Sequence, residues 1–166
     1  PQYGQVPPDR PQPDLNKVRE AAQRISEAQR PVIVAGAGVK YSGAYEALNH
    51  LAEAMHVPVA TSLNAKDAIL DNNPLSVGVV GTYSRRSANQ VVAEADLVIF
   101  VGTRAGGMTT HFWTIPAKGT STIQIDIDPL VNGRNYPTDV SIVGDARVTL
   151  EKIVLNDPIL NLYLLP

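Results

Sequence analysis

Ala95-Asp96-Leu97-Val98-Ile99-Phe100-Val101-Gly102-Thr103-Arg104 is the stretch that decides the fold. Five apolar residues run without a break between an aspartate and a glycine, too few for a helix and with no polar face. That is a strand covered on both sides. Shorter runs of the same kind are Pro31-Val32-Ile33-Val34-Ala35, Pro58-Val59-Ala60-Thr61 and Val140-Ser141-Ile142-Val143. Ser121 to Pro129 alternates, with Ile123, Ile125 and Ile127 on one side and Gln124, Asp126 and Asp128 on the other. Pro129 cannot donate to a ladder, so this strand is expected to stop there.

Helical spacing fills the gaps. Leu15, Val18, Ala22 and Ile25 predict a helix over 15–28 behind Asp14 as N-cap, and further helices are expected over about 43–55, 87–95 and 146–155. Residues 62–83 read as irregular, with one helical turn near 65–70. Strands that alternate with helices, and that are apolar on both faces, imply parallel pairing through right-handed crossovers. The expected architecture is α/β with helices on both faces of the sheet.

Composition narrows the function classes. The chain has 166 residues, no cysteine and a formal net charge of −2. Disulfides, thiolate metal sites and cysteine nucleophiles are excluded. Nothing in the charge favours nucleic acid or an anionic membrane as partner. No apolar run approaches a membrane span, and a cytoplasmic location is expected. His50, His56 and His111 show no ligand spacing, so no metal site is expected. The proline-rich start reads as linker over 1–13, the folded unit as 14–155, and the apolar end 156–166 as linker or the start of a following domain.

Candidate site residues collect at expected strand ends, where open parallel sheets bind ligands. Gly36-Ala37-Gly38 follows a strand and precedes a helix, the setting of a phosphate loop. Tyr41 stands in place of the third fingerprint glycine, and Thr61-Ser62 in place of a ribose-binding acid, so the standard NAD pattern is not met. Arg104, just past Gly102, is placed to clamp a pyrophosphate bidentately. Asp126 and Asp128, pointing one way from a strand end, suit ribose hydroxyls better than acid/base work. Gly78 and Gly81 flank Val79-Val80 and could bring backbone close to a ligand. His111 and Trp113 read as packed loop anchors, Arg85-Arg86 as a solvated face. No catalytic residue is assigned.

In order, Arg30 to Gly38, Val57 to Ser62, Gly78 to Gly81, Ala95 to Arg104, Ile125 to Pro129 and Val143-Gly144-Asp145 resemble a known family. It is the central domain of thiamine-diphosphate-dependent enzymes of the acetolactate synthase, pyruvate oxidase and oxalyl-CoA decarboxylase type. Val6-Pro7-Pro8-Asp9 is similar to the exit from the preceding pyrimidine-binding domain in such enzymes.

The resemblance implies a six-stranded parallel sheet in a three-layer α/β/α sandwich. That Rossmann-like fold is shared with deoxyhypusine synthase. It implies an excised central domain whose parent is a carboligase or decarboxylase acting on 2-keto acids or acyl-CoA-type substrates. In that parent, thiamine diphosphate and Mg2+ are held by the pyrimidine-binding and diphosphate-binding domains, and the parent is a homo-oligomer. The central domain would be structural, with FAD or ADP as the ligand it could hold, and not catalytic alone. By motif matching, Gly36, Gly38, Gly81, Gly102, Arg104, Asp126, Asp128, Gly144 and Asp145 would line that cleft. FAD-binding members carry Arg-Phe-Asp-Asp where this chain has Arg104-Ala105-Gly106-Gly107, so the arginine is kept and the acidic pair is absent. The alternative is a stand-alone adenine-nucleotide-binding module.

Overall fold

The computed structural model describes residues 9–157. The expectations for most of the amino-terminal linker, including Val6-Pro7-Pro8, and for the apolar end beyond Asp157 lie outside the described residues.

Six strands form one sheet in the order β3-β2-β1-β4-β5-β6, and every pairing is parallel. They are β1 (Pro31–Ala35), β2 (Val59–Thr61), β3 (Ser76–Val79), β4 (Leu97–Val101), β5 (Ser121–Asp126) and β6 (Val140–Val143). The apolar run that fixed the fold class is β4, near the middle of the sheet. It pairs with β1 from Pro31↔Leu97 to Ala35↔Val101 and with β5 from Leu97↔Ser121 to Val101↔Ile125.

Both faces of β4 are covered, which is why it carries no polar side. Leu97, Ile99 and Val101 join Ile33, Ile123, Ile125 and Ile142 under α1 (Leu15–Glu27), α3 (Tyr45–Ala54) and α5 (Ala146–Leu155). Val98 and Phe100 join Val32, Val34 and Ala60 on the opposite face, under α4 (Arg86–Glu94) and two loops, the β4–β5 loop with Ala105 and the β5–β6 loop with Tyr136. The Phe100 and Tyr136 rings meet at a centroid distance of 5.7 Å. The first face is covered mainly by helices, the second by one helix and two loops. This uneven cover makes the second layer the thinner one.

Capping explains the helix starts. The Asp14 carboxylate accepts the Asn16 amide at 2.8 Å at the head of α1, and the Asp145 carboxylate accepts the Val148 amide at 3.1 Å at the head of α5. Extended backbone at Ala28 ends α1.

Four details differ from the sequence reading. β3 lies inside the stretch expected to be irregular: Gly78, at φ +92°, interrupts its apolar pattern, and the register shifts between Val59 and Ala60 opposite it. The helix expected from about residue 43 is preceded by a separate short α2 (Ala37–Tyr41), broken off where Gly43 takes φ +64°. Leu15, expected on the inward face of α1, is 46% exposed because the helix begins at the rim of the layer. β5 ends at Asp126 rather than at Pro129, because the chain turns there. The Asp126 carboxylate accepts the Asp128 amide at 3.0 Å, and the Asp128 carboxylate accepts the Leu130 amide at 2.9 Å.

Candidate functional site

The strand order reverses between β1 and β4, and a cleft of about 750 Å³ opens at the carboxyl ends of the strands on either side of that point. This is where ligands bind in open α/β sheets, and the volume lies in the range of small-molecule sites. The walls come from segments after five of the six strands: Gly38 after β1, Asn64 after β2, Val80 after β3, Arg104 after β4 and Ile127 after β5.

The glycines at its floor are there for close packing of backbone. A Cβ on Gly38 would stand 2.5 Å from the Cα of Gly102, and one on Gly36 would collide with the Gly102 carbonyl and Thr103. The Gly36 amide donates to the Val101 carbonyl at 2.8 Å and the Gly38 amide to the Gly102 carbonyl at 2.9 Å. Gly102 itself takes φ +59°. The β1 and β4 loops are thus fused at the switch point, and their joined surface forms the cleft floor.

Of the nine residues singled out in the sequence, Gly38, Gly102, Arg104 and Asp126 line the cleft. Gly36 sits beneath it as the N-cap of α2. Gly81, at φ +106°, leaves no room for a Cβ, which would collide with the Met108 carbonyl, and is held at both its amide and its carbonyl by the Asn89 side chain. Asp128 lies in the turn after β5 and does not line the cleft; Ile127, 55% exposed, takes the place beside Asp126. The alternation from which both aspartates were expected to point one way ends with β5 at Asp126, so Asp128 lies beyond the ladder.

Gly144 and Asp145 are also outside the cleft lining. Asp145 is 5% exposed, caps α5, and pairs with Arg10 at 3.0 Å, while its amide donates to the Pro11 carbonyl. A Cβ on Gly144 would press on Pro13. These two residues dock the segment entering α1 onto the head of α5.

Several cleft residues escaped the sequence reading. Tyr41, Leu63, Tyr83 and Met108 form an exposed apolar rim. Tyr41, marked only as the residue displacing a glycine, ends α2 and faces this space. His111 and Trp113, expected as packed anchors, are exposed. With Phe112 they form three successive left-handed residues, at φ +47°, +55° and +61°. The Phe112 and Trp113 rings lie over Gly107, 3.3–3.5 Å from where its Cβ would be. Nothing in their residue types signals that backbone.

The charges suit an anionic ligand. Arg104 is exposed on the cleft wall and has no ion-pair partner among the described residues. A guanidinium is permanently charged and matches phosphate oxygens bidentately. Asp126 supplies a carboxylate acceptor on the β5 side. A phosphorylated ligand with a flat apolar group fits these donors and this rim. Among the described residues no group of three or more His, Cys, Asp or Glu could hold a metal ion. Among the same residues, no helix is long and apolar enough to cross a membrane.

Comparison with known proteins gives one consistent answer. Residues 18–153 match the family model described as thiamine pyrophosphate enzyme, central domain. The chain is 39% identical over 138 residues to the probable acetolactate synthase large subunit of Methanococcus aeolicus, covering 83% of this chain and 23% of that one. It is 37% identical over 153 residues to the probable 2-ketoarginine decarboxylase of Pseudomonas aeruginosa, covering 91% and 26%. The chain thus spans about a quarter of the length of these curated relatives. Benzoylformate decarboxylase from Polynucleobacter necessarius shares the fold, with TM-score 0.72 and 23% identity over 93% of this chain and 30% of that one.

Proposed function

This chain belongs to the thiamine pyrophosphate enzyme central-domain family, and from that membership we propose that it serves as the non-catalytic central domain of a thiamine-diphosphate-dependent carboligase or decarboxylase. The family match across residues 18–153 carries this reading. The class of substrate, 2-keto acids or acyl-CoA-type compounds, is proposed from what the relatives are named for and from the family resemblance. Thiamine diphosphate and Mg2+ would be bound by pyrimidine-binding and diphosphate-binding domains of the same polypeptide, in a cytoplasmic homo-oligomer. When bound there, thiamine diphosphate supplies the electron sink for carbanion chemistry. The residues described here would fix the spacing of the domains that hold it.

The cleft adds a second role, adenine-nucleotide binding by FAD or ADP. Arg104 would clamp the pyrophosphate, Asp126 would accept ribose hydroxyls, and the Tyr41, Leu63, Tyr83 and Met108 rim would pack on a flat ring. The glycine-packed floor lets backbone come close to the phosphates. Affinity is expected to be weak, since neighbouring domains of the parent would add contacts to the same ligand.

Two measurements test these roles. Sequencing outward from the gene should show a thiamine-diphosphate-binding region in the same reading frame, and the whole product should decarboxylate a 2-keto acid when given thiamine diphosphate and Mg2+. A reading frame without such a region sinks the first role. Calorimetric titration with FAD and with ADP decides the second: heat that saturates with either ligand supports it, and none at millimolar ligand leaves the domain purely structural.

A further inference from the structure

Gln124 is a fully polar side chain at the centre of β5 and is 2% exposed. Its amide nitrogen donates to the Thr103 carbonyl at 3.2 Å. Its amide oxygen accepts the Gly133 amide at 2.9 Å and the Thr138 hydroxyl at 3.4 Å. One residue further along, Asn135 donates its side-chain amide to the Arg104 carbonyl at 2.7 Å. Two consecutive carbonyls of the β4 loop are therefore each held by a side-chain amide, Thr103 from strand β5 and Arg104 from the β5–β6 loop.

The loop they hold needs holding. Gly102 and Ala105, on either side of Thr103-Arg104, both take left-handed φ, +59° and +46°. For alanine that conformation is strained and persists only when its surroundings over-determine it. Ala105 is 1% exposed and packs into the thinner core layer, so the strain is anchored from below. A buried amide that makes hydrogen bonds at both ends fixes its neighbours in register, and removing it leaves buried backbone groups without partners.

We propose that Gln124 and Asn135 are positioning residues: through the Thr103 and Arg104 carbonyls they brace the strained β4 loop and aim the Arg104 guanidinium into the cleft. Neither lines the cleft. The brace rests on the nucleotide-cleft reading only for its consequence. The bracing itself is a property of the loop.

The test compares the chain with N135A, Q124L, R104A and the R104A/N135A double variant. Two readouts are taken: amide hydrogen exchange over 102–107, and calorimetric affinity for ADP and for pyrophosphate. In N135A, exchange over 102–107 should rise by about two- to tenfold, the worth of one hydrogen bond, while β4 stays protected. ADP and pyrophosphate affinity should fall by a similar factor in N135A but not further in R104A/N135A, because the brace acts through Arg104. Q124L should do the same more strongly if it folds, and N135A alone decides the matter if it does not. Unchanged exchange in N135A overturns the brace. Equal losses of affinity with and without Arg104 overturn its aim. If the chain binds neither compound, the nucleotide reading falls and the exchange result alone decides the brace.

Discussion

At the amino-terminal edge of the sheet, Asp96 accepts the Gln29 and Arg30 amides at 2.8 and 2.9 Å, and Asp139 accepts the Thr122 amide at 2.9 Å and the Ser121 hydroxyl. At the carboxyl-terminal edge, Arg104 and Asp126 face a cleft, and Arg104 has no ion-pair partner among the described residues. Each amino-edge aspartate ties the start of one strand to the start of its neighbour, β4 to β1 and β6 to β5. Their carboxyls titrate below the ordinary range. For Asp139 the Ser121 hydroxyl bond is the largest cause. For Asp96 burial is the largest single influence and pushes upward, but the backbone amides of Arg30, Gln29 and Asp96 itself and the Arg30 charge together bring the net direction down. These two carboxylates are committed to strand starts, far from the cleft. The carboxyl-edge charges line the cleft instead, and they are the pair proposed to bind a ligand.

The contrast would break first at the glycine junction, because the carboxyl edge is structural as well. Gly38→Ala places a methyl 2.5 Å from the Gly102 Cα, against backbone that cannot swing aside. A loss of about 3 kcal/mol or more is expected, large enough to be seen as a fall in Tm of many degrees or as failure to accumulate folded protein. Gly43→Ala is the control: its Cβ position is empty, so only the cost of its positive φ, about 1 kcal/mol, should appear. Equal effects at the two positions would mean that the β1 and β4 loops are not fused.

Next in size are the amino-edge carboxylates. Asp96→Ala leaves the Gln29 and Arg30 amides without their partner and should cost about 2 kcal/mol, with Asp139→Ala nearer 1 kcal/mol because its site is exposed. Both depend on pH in a defined direction. A carboxyl whose folded pKa lies below its unfolded value stabilises the fold fully above the unfolded value, and that contribution is lost as pH falls through the folded one. The difference in Tm between the parent chain and Asp96→Asn should therefore hold steady from neutral pH to about pH 5 and shrink below about pH 4. A difference that widens in acid would show that the carboxylate is not what holds the strands together.

How far each edge was legible in the sequence follows from where its information lies. β4 was legible because a strand covered on both faces must be apolar throughout. β3 was not, because a glycine in an edge strand removes the pattern that identifies it. Arg104 and Asp126 were legible as residues just past or at the end of apolar runs, since strand ends in such a sheet converge. Asp128 was misplaced because alternation shows which way a strand faces but not where it stops; two side-chain-to-backbone turns at Asp126 and Asp128 set that. Gln124 escaped because a polar residue in an alternating strand reads as solvent-facing, whereas here both faces of the sheet are covered. The cleft rim came from helix ends and loops, whose mutual approach no local pattern records.

The smallest effect on stability is expected at Arg104, and that is what makes it the sharpest test of the contrast. An exposed side chain with no ion pair among the described residues holds nothing up, so Arg104→Ala should shift stability by no more than about 0.5 kcal/mol. Its backbone contacts, the carbonyl bond from Asn135 among them, survive the truncation. The same change removes a permanently charged, bidentate donor from the cleft wall. ADP affinity should fall about tenfold or more, the worth of a charge-assisted hydrogen bond. The remaining affinity should also depend less on salt, since one phosphate contact fewer is screened. Asp96→Ala should give the mirror image, a large loss of stability with ligand affinity unchanged once the protein is folded. If Arg104→Ala instead unfolds the chain while leaving ADP affinity intact, the two edges have been assigned the wrong way round.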